Sequence, residues 1–195
     1  MSHAYFFGYG SLVNRGTHDF AQAHRAQLRG WRRVWRRTSL RPAAYLTVVP
    51  DPAAEIDGLI AEVPDGDWPA LDARESAYDR VSAAHQVRHP LSHSPRIAVY
   101  SIPETRHGAP SRSCPVLLSY IDVVVQGYLR EFGEDGAHRF FDTTHGWDDM
   151  PVLQDRAAPV YPRHRQLSAD ERALVDDRLA ALGVRYVAAD TARNG

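Results

Sequence analysis

A short aromatic run followed by a glycine-rich turn occupies residues 4–12. The run at 4–7 is apolar, which predicts a short buried strand, and the Gly-Tyr-Gly-Ser that follows it is typical of a tight turn. Glycines let a ligand approach the backbone closely, and successive free N–H groups form a concavity suited to a carboxylate or a phosphate. The pattern therefore fits an anion-binding turn or an ordinary connection after a strand.

The best candidate for proton transfer is Glu75. Asp67 is placed to cap a helix that we expect to continue through Tyr78, with Pro69 in its first turn. Leu71, Glu75 and Tyr78 then share one helical face at i, i+4 and i+7, which directs the carboxylate toward the interior. Carboxylates in protein interiors lose hydration and can exchange protons near neutral pH. An ion pair with an arginine is the alternative interpretation of the same pattern.

The elements that must position these residues are predicted from hydrophobic periodicity and from turn residues. Strands are expected at 45–49, 55–63, 96–102 and 184–187, the first two as a hairpin, and helices at 17–28, 67–78, 115–133 and 168–182. Tyr120 lies in the first turn of the third helix, where its hydroxyl can contact a ligand or its ring can pack in the core. Residues 134–165 contain aromatic residues without periodicity, which predicts a structured loop.

Composition limits the function. The chain has 195 residues and a net charge of −1, so we expect one domain and no global field that attracts nucleic acid or an anionic membrane. The single cysteine, Cys114, excludes an internal disulfide and a cysteine-rich zinc module. All 23 basic residues are arginine, which excludes lysine Schiff-base chemistry. No apolar run approaches the ~20 residues of a membrane helix, and the N-terminus lacks a secretory pattern, so a cytoplasmic protein is expected.

Two other patterns suggest binding functions. Residues 29–37 interleave arginine with tryptophan, which suits single-stranded nucleic acid but more often forms a strand with solvated or paired arginines. His85, His89 and His93 are spaced as metal ligands on a helix would be, but Pro90 interrupts a helix there. We therefore expect neither a nucleic-acid partner nor a metal site.

Four motifs, in their order and spacing, resemble the γ-glutamylcyclotransferase-like superfamily, which includes the AIG2-like proteins. They are Phe7-Gly8-Tyr9-Gly10-Ser11-Leu12, Gly58 within a strand, Leu71-Asp72-Ala73-Arg74-Glu75-Ser76-Ala77-Tyr78, and Ser119-Tyr120 before Gly127. The resemblance covers about residues 4 to 130. It implies an α+β fold, a small, mostly antiparallel β-barrel flanked by helices. We expect a core of residues 1–133 and a C-terminal extension of residues 134–195, packed on the same single domain.

The resemblance also implies an activity, the cleavage of a γ-glutamyl amide by attack of the substrate's own α-amine. The products would be 5-oxoproline and an amine or amino acid, with no cofactor. Glu75 would be the acid/base, and the γ-glutamyl substrate would be held by Tyr9, Gly10, Ser11, Leu12 and Tyr120. This assignment agrees with the residues, because a substrate that supplies its own nucleophile needs from the protein only positioning and one proton-transfer group.

A non-catalytic small-molecule-binding or interaction module on the same fold is the alternative. In such a module Glu75 would be held in a salt bridge and side chains would fill the cavity. A homodimer is a possible assembly in either case.

Overall fold

The computed structural model describes residues 4–148 and 150–188, which form two β-sheets and three helices. The helices are α1 (Trp68–Arg74), α2 (Leu118–Asp142) and α3 (Ala169–Ala181). The strands are β1 (Ala4–Gly8), β2 (His24–Thr38), β3 (Tyr45–Glu62), β4 (Asp79–Ser82), β5 (Val87–Arg88), β6 (Arg96–Ser101), β7 (His107–Gly108), β8 (Val116–Leu117), β9 (Thr144–His145), β10 (Pro151–Leu153) and β11 (Arg185–Val187).

The larger sheet has the order β4-β6-β1-β3-β2-β5, and β7 and β9 also pair with β2. It is mostly antiparallel, the exceptions being the parallel pairs β1/β6 and β2/β9. The sheet curls into a half-barrel, and a small parallel sheet of order β11-β10-β8 lies beside it. This architecture confirms the predicted α+β class.

The first strand is central, and its place in the sheet decides where the following turn lies. The strand β1 lies between β3, which pairs with it antiparallel, and β6, which pairs with it parallel. All five of its residues are buried, because Tyr5 and Phe7 pack in the main core and Ala4 and Phe6 pack in a second apolar cluster. Apolar and aromatic side chains suit a strand that is covered on both faces. The chain leaves β1 at Gly8 with the turn of residues 9–12 held against the interior.

Two predicted elements are wrong. The helix expected at 17–28 does not form, since Thr17 ends a short 3-10 turn and β2 already begins at His24. The hairpin expected between 45–49 and 55–63 is instead one continuous strand, β3. Both of its halves pair with the 15-residue β2, and the register shifts between Arg29 and Trp31. A long partner strand overrides the local Pro/Asp turn signal because it offers hydrogen bonds along both halves.

The predicted central helix is longer and interrupted. Gly133, expected as its end, has φ 71° and ψ −173°, but the chain resumes its helical course and continues to Asp142. The last helix agrees with its prediction, including a capping box in which the Ser168 side chain accepts from the N–H of Glu171.

Residues that follow Gly133 contribute to the main hydrophobic core. Phe140, Phe141 and Trp147 are buried against one another, and Trp35 of β2 packs against Trp147 with ring centroids 5.2 Å apart. The division into a core and an extension at residue 133 stays a prediction. Within residues 4–148 and 150–188, no helix has the length and apolar character needed to cross a bilayer.

Candidate active site

A pocket at the end of β1 brings together the six residues predicted to act on a substrate. It contains about 400 Å³ of empty space, counting its mouth, and lies between Phe7, Gly8, Tyr9, Gly10, Ser11, Leu12, Leu46, Glu75, Tyr78, Tyr100 and Tyr120. The centre of a water molecule can reach about 60 Å³ of it, which is room for a few water molecules, since one needs about 10–15 Å³. Five of these eleven lining residues are aromatic, and Glu75 is the one carboxylate among them.

The turn after β1 continues directly into a 3-10 helix of residues Ser11–Val13. The N–H groups of Val13 and Asn14 donate to the carbonyls of Gly10 and Ser11, both at 3.0 Å. The N–H groups at the start of a helix have no partner within that helix. The backbone around residues 10–12 is therefore suited to hold an anionic group in the pocket.

Close contacts explain why the motif positions are glycines. A Cβ atom on Gly10 would lie 2.7 Å from the hydroxyl oxygen of Tyr120, and one on Gly58 would lie 2.4 Å from the carbonyl oxygen of Gly8. A Cβ on Gly127 would lie 2.6 Å from the backbone nitrogen of Asn14. The distant motifs are thus parts of one packing arrangement around the turn.

Glu75 reaches the pocket from a different local structure than predicted. Helix α1 ends at Arg74, and Glu75 is its C-cap residue, with φ −98° and ψ 33°. Its N–H donates to the carbonyl of Leu71 at 3.0 Å, and its carbonyl accepts from the N–H of Tyr78 at 2.8 Å. The common helical face expected for Leu71, Glu75 and Tyr78 is therefore wrong. Nevertheless, the Glu75 side chain lines the pocket and is 18% exposed.

Arg74 is the cation nearest to this carboxylate among the ion pairs of the described residues. Its Nε lies 3.3 Å from Oε1 of Glu75, but this buried Nε–H makes no hydrogen bond, so the contact is an ion pair without hydrogen-bond geometry. Burial lowers the pKa of Arg74, and the positive charge of Arg163 lowers it further. Glu75 is thus paired with a cation and faces an open pocket, which combines features of both sequence interpretations.

The tyrosines of the pocket are hydrogen-bonded to surrounding carbonyls and carboxylates. The hydroxyl of Tyr9 donates to the carbonyl of Tyr100 at 2.6 Å, and that of Tyr78 donates to the carbonyl of Leu46 at 2.9 Å. Tyr100 donates to Oδ1 of Asp72 at 2.5 Å.

Three tyrosines stay protonated over the whole working range of pH. Burial raises the pKa of Tyr9, Tyr78 and Tyr120 well above the usual value, and the negative charge of Glu75 contributes to each increase. They therefore act as neutral walls and hydrogen-bonding groups, which leaves Glu75 as the group of the pocket lining suited to proton transfer.

Tyr161 is a site neighbour that the sequence interpretation missed. Its hydroxyl donates to Oγ of Ser11 at 2.8 Å, and its ring packs edge-on against Tyr120 with centroids 5.0 Å apart. The available signal was the aromatic content of residues 134–165, which predicted a structured loop but not its destination. That prediction is wrong for residues 134–142, which belong to α2.

Asp155 holds this segment against the start of α2. Its carboxylate accepts from the N–H of Ser119 at 2.8 Å, from the Ser119 hydroxyl at 2.5 Å and from the N–H of Val160 at 2.9 Å. The N–H of Tyr161 in turn donates to the Ser119 hydroxyl at 3.2 Å. Tyr120 and Tyr161 are positioned by the same buried carboxylate.

The arginine and tryptophan stretch at 29–37 lies in the C-terminal part of β2. Trp31 and Trp35 are buried, Arg33 is buried among polar groups, and Arg29 pairs with Glu55 at 2.6 Å. The stretch thus has a structural role. In the part of the chain that the structure describes, no three His, Cys, Asp or Glu side chains form a group that could hold a metal ion.

The fold, the glycine-rich turn and the carboxylate that lines the pocket define the class of protein. The family model described as gamma-glutamyl cyclotransferase, AIG2-like, matches residues 6–118, which is more than half of the chain. The chain belongs to this family. No curated protein sequence matches it.

Solved structures support the same fold. YkqA from Bacillus subtilis has a TM-score of 0.55 and 16% identity over 71% of this chain, and the chain spans 53% of YkqA. An uncharacterized protein from Homo sapiens has a TM-score of 0.54 and 11% identity, with 90% of this chain and 99% of that chain covered. A structure titled gamma-glutamyl cyclotransferase has a TM-score of 0.50 and 12% identity, with the same coverage. Identities this low establish a common fold only.

Proposed function

We propose that this protein is a γ-glutamyl cyclotransferase that converts a γ-glutamyl amide into 5-oxoproline and an amine or amino acid. The observation that carries the proposal is the position of Glu75 in the same pocket as the turn of residues 9–12. Membership of the gamma-glutamyl cyclotransferase, AIG2-like family supports it.

The chemistry follows from the groups in the pocket. The N–H groups of the turn hold the α-carboxylate of the substrate and fold its chain, so that the α-amine faces the γ-carbonyl carbon. Such positioning can supply ~7–11 kcal/mol of the barrier. Glu75 accepts a proton as the amine forms the new C–N bond, and returns it to the leaving nitrogen as the old C–N bond breaks. Backbone N–H groups stabilise the oxyanion between these steps.

The pocket walls complete the arrangement. Tyr120 lies against Gly10, where it limits the space beside the turn, and the surrounding structure leaves the Glu75 side chain 18% exposed. A site with few water molecules strengthens each electrostatic contact made during the reaction. No step requires a cofactor. The cytoplasmic location and the homodimer expected from the sequence stay predictions.

A non-catalytic binding module is the second candidate. It is favoured by the ion pair between Arg74 and Glu75, which is one of the features expected of such a module. The open pocket argues against it, because the module interpretation required side chains to fill this space.

The test is an assay for 5-oxoproline release from γ-glutamyl amino acids, γ-glutamylamines and glutathione. We expect the native protein to release 5-oxoproline from at least one compound, and Glu75→Gln to lose ~100-fold or more in kcat because general acid–base catalysis contributes about that much. Glu134→Gln is the matched control, since that carboxylate is 74% exposed and interacts only weakly with His138. Native activity that survives in Glu75→Gln would overturn the assignment of Glu75. Binding without release would support the module instead.

A further inference from the structure

Three arginines lie near the mouth of the pocket without belonging to its lining, and the proposed reaction gives none of them a role. Arg41 lies between β2 and β3, Arg74 ends α1, and Arg163 follows Tyr161 in the segment before α3. They belong to three separate parts of the chain, so only the tertiary structure brings them together.

Arg41 is fixed over the aromatic wall of the site. Its guanidinium carbon lies 5.8 Å from the ring centroid of Tyr78 and 5.4 Å from that of Tyr45. Tyr78 lines the pocket, and Tyr45 packs on Tyr120 with centroids 4.9 Å apart. The Nη2 atom of Arg41 also lies 3.5 Å from the backbone carbonyl oxygen of Arg74, which places the Arg41 guanidinium beside the end of α1.

Arg163 approaches from the C-terminal segment. It is two residues beyond Tyr161, whose hydroxyl contacts Ser11 in the pocket, and a turn in which the N–H of His164 donates to the Tyr161 carbonyl holds it there. Its charge is close enough to lower the pKa of Arg74, after the larger effect of burial. The side chains of Arg41 and Arg163 belong to half-buried residues.

The three arginines near the mouth have fewer carboxylate partners than positive charges. Within residues 4–148 and 150–188, neither Arg41 nor Arg163 has an acidic side chain within ion-pair distance, and Arg74 has only Glu75. The nearby Arg80, by contrast, pairs with Asp72 at 3.0 Å. Like charges gathered at a cleft produce a positive potential that attracts anions, and guanidinium groups bind carboxylates with two parallel hydrogen bonds.

The position of Glu75 shows which carboxylate fits here. The proposed reaction requires this residue to protonate the leaving nitrogen, so the leaving group lies beside Glu75 and therefore beside Arg74. If the leaving group is an amino acid, its carboxylate carbon is two bonds from that nitrogen. The α-carboxylate of the glutamyl group is already assigned to the turn of residues 9–12.

We propose that Arg41 and Arg163, together with Arg74, form a subsite for the carboxylate of the leaving group, so that the substrate is a γ-glutamyl amino acid or peptide and not a γ-glutamylamine. This inference rests on the proposed cyclotransferase function. The subsite determines specificity, and the two outer arginines take no part in proton transfer.

The experiment compares two substrates that differ only in this charge, γ-glutamyl-alanine and γ-glutamyl-alaninamide. We expect the native protein to have a kcat/KM at least about tenfold higher for the acid than for the amide, since a charge-assisted hydrogen bond contributes roughly that factor. Arg41→Gln and Arg163→Gln should each lower kcat/KM for the acid about tenfold, chiefly through KM, and leave the amide unchanged. Arg96→Gln, an exposed arginine at the start of β6, is the matched control.

The outcomes separate the two proposals. Release of 5-oxoproline from both substrates at equal rates would overturn the subsite and leave the cyclotransferase function intact. Equal losses for acid and amide in the arginine variants would also overturn it, because the arginines would then hold the glutamyl group or the fold. Release from no compound of the panel would overturn the cyclotransferase function and the subsite with it. The native preference is measured without any variant, so a misfolded variant cannot obscure the result.

Discussion

Arg33 and the arginines of the pocket mouth have the same side chain in opposite surroundings. Arg33 is 1% exposed, and its guanidinium donates to Oγ1 of Thr144 at 3.1 Å, to the carbonyl of Asp57 at 2.9 Å, to the hydroxyl of Tyr128 at 2.7 Å and to Oγ1 of Thr143 at 2.6 Å. Arg41 and Arg163 are half-buried and have no acidic partner among the residues that the structure describes. Arg33 uses four of its five N–H donors within the protein, whereas Arg41 makes one side-chain hydrogen bond within the described part of the chain, to the Arg74 carbonyl.

The hydrogen-bond partners of an arginine indicate whether it stabilises the fold, which the basic pattern in the sequence did not. The basic stretch at 29–37 was the most prominent arginine cluster in the chain, yet Arg33 within it serves the fold. It is stacked over Tyr128 and Phe140 at 5.0 and 5.1 Å, and the Tyr128 hydroxyl donates to the carbonyl of Tyr9 at 2.9 Å. Burial raises the pKa of Tyr128 to about 12 and lowers the pKa of Arg33. A buried cation is retained when neighbouring oxygens replace its hydration.

The largest effect that tests this comparison is expected for Arg33→Met. The substitution removes the donors of four hydrogen bonds and strands their acceptors in the interior, so we expect the free energy of unfolding to fall by about 3 kcal/mol. Urea unfolding measures it as a lower midpoint at constant slope. Arg32→Met is the control, because that side chain is 39% exposed and 3.8 Å from Asp51. A loss below about 1 kcal/mol for Arg33→Met would show that the buried arginine is not structurally required.

A smaller loss of stability is expected for Asp155→Asn. This variant tests whether the position of Arg163 depends on the hydrogen bonds that Asp155 makes to the same segment. The carboxylate accepts three hydrogen bonds, and the amide that replaces it can retain only part of them, so unfolding should become easier by about 1–2 kcal/mol. The preference for γ-glutamyl-alanine over its amide should fall at the same time. Exposed Asp135→Asn serves as the control. An unchanged substrate preference in a destabilised Asp155→Asn protein would contradict the proposed link.

Tyr161→Phe should have an effect of about 1 kcal/mol on stability, the usual contribution of one hydrogen bond. The change removes the hydroxyl that donates to Ser11 and keeps the ring that packs on Tyr120. Thermal unfolding beside Tyr186→Phe, whose residue is 44% exposed, measures the difference. Equal unfolding temperatures for the two variants would show that the contact with Ser11 does not stabilise the turn.

The smallest effect is expected for the stability of Arg41→Gln and Arg163→Gln. Both should unfold within about 0.5 kcal/mol of the native protein, because neither side chain has a charged partner to lose. The urea midpoints of these two variants are measured together with that of Arg33→Met, so that the losses of stability can be compared directly. A loss above about 1 kcal/mol in either variant would give the mouth arginines a structural role and remove the contrast with Arg33.

Several parts of the fold could be predicted because their signals are local. The strand β1 follows from four consecutive apolar residues, and α3 follows from a capping box and a terminal glycine, at Ser168 and Gly183. The helix expected at 17–28 and the hairpin expected within 45–63 failed for a common reason. Both elements were predicted from nearby residues, whereas both segments contribute to the long antiparallel pairing of β2 with β3.

The candidate site also contains some features with local sequence signals and others that depend on long-range contacts. The motifs named the turn, Glu75 and Tyr120 in advance, and the structure places them around one pocket. The geometry of Glu75 could not be predicted, because α1 stops one residue before it and the side chain is directed by a turn. Tyr161, Asp155 and Arg163 lie outside the matched residues 6–118, and only long-range contacts bring them to the site.

By itself, the sequence determined the family, the α+β class and the residues of the glycine-rich turn, since each depends on residue types at short range or on motifs in a fixed order. The tertiary structure alone decided that Glu75 and the turn line one pocket, that the Tyr161 hydroxyl donates to Ser11, and that the Arg41 guanidinium lies over Tyr78. These relations join residues far apart in the chain. Their positions depend on strand register and core packing, which are properties of the whole chain and leave no signal in any one segment.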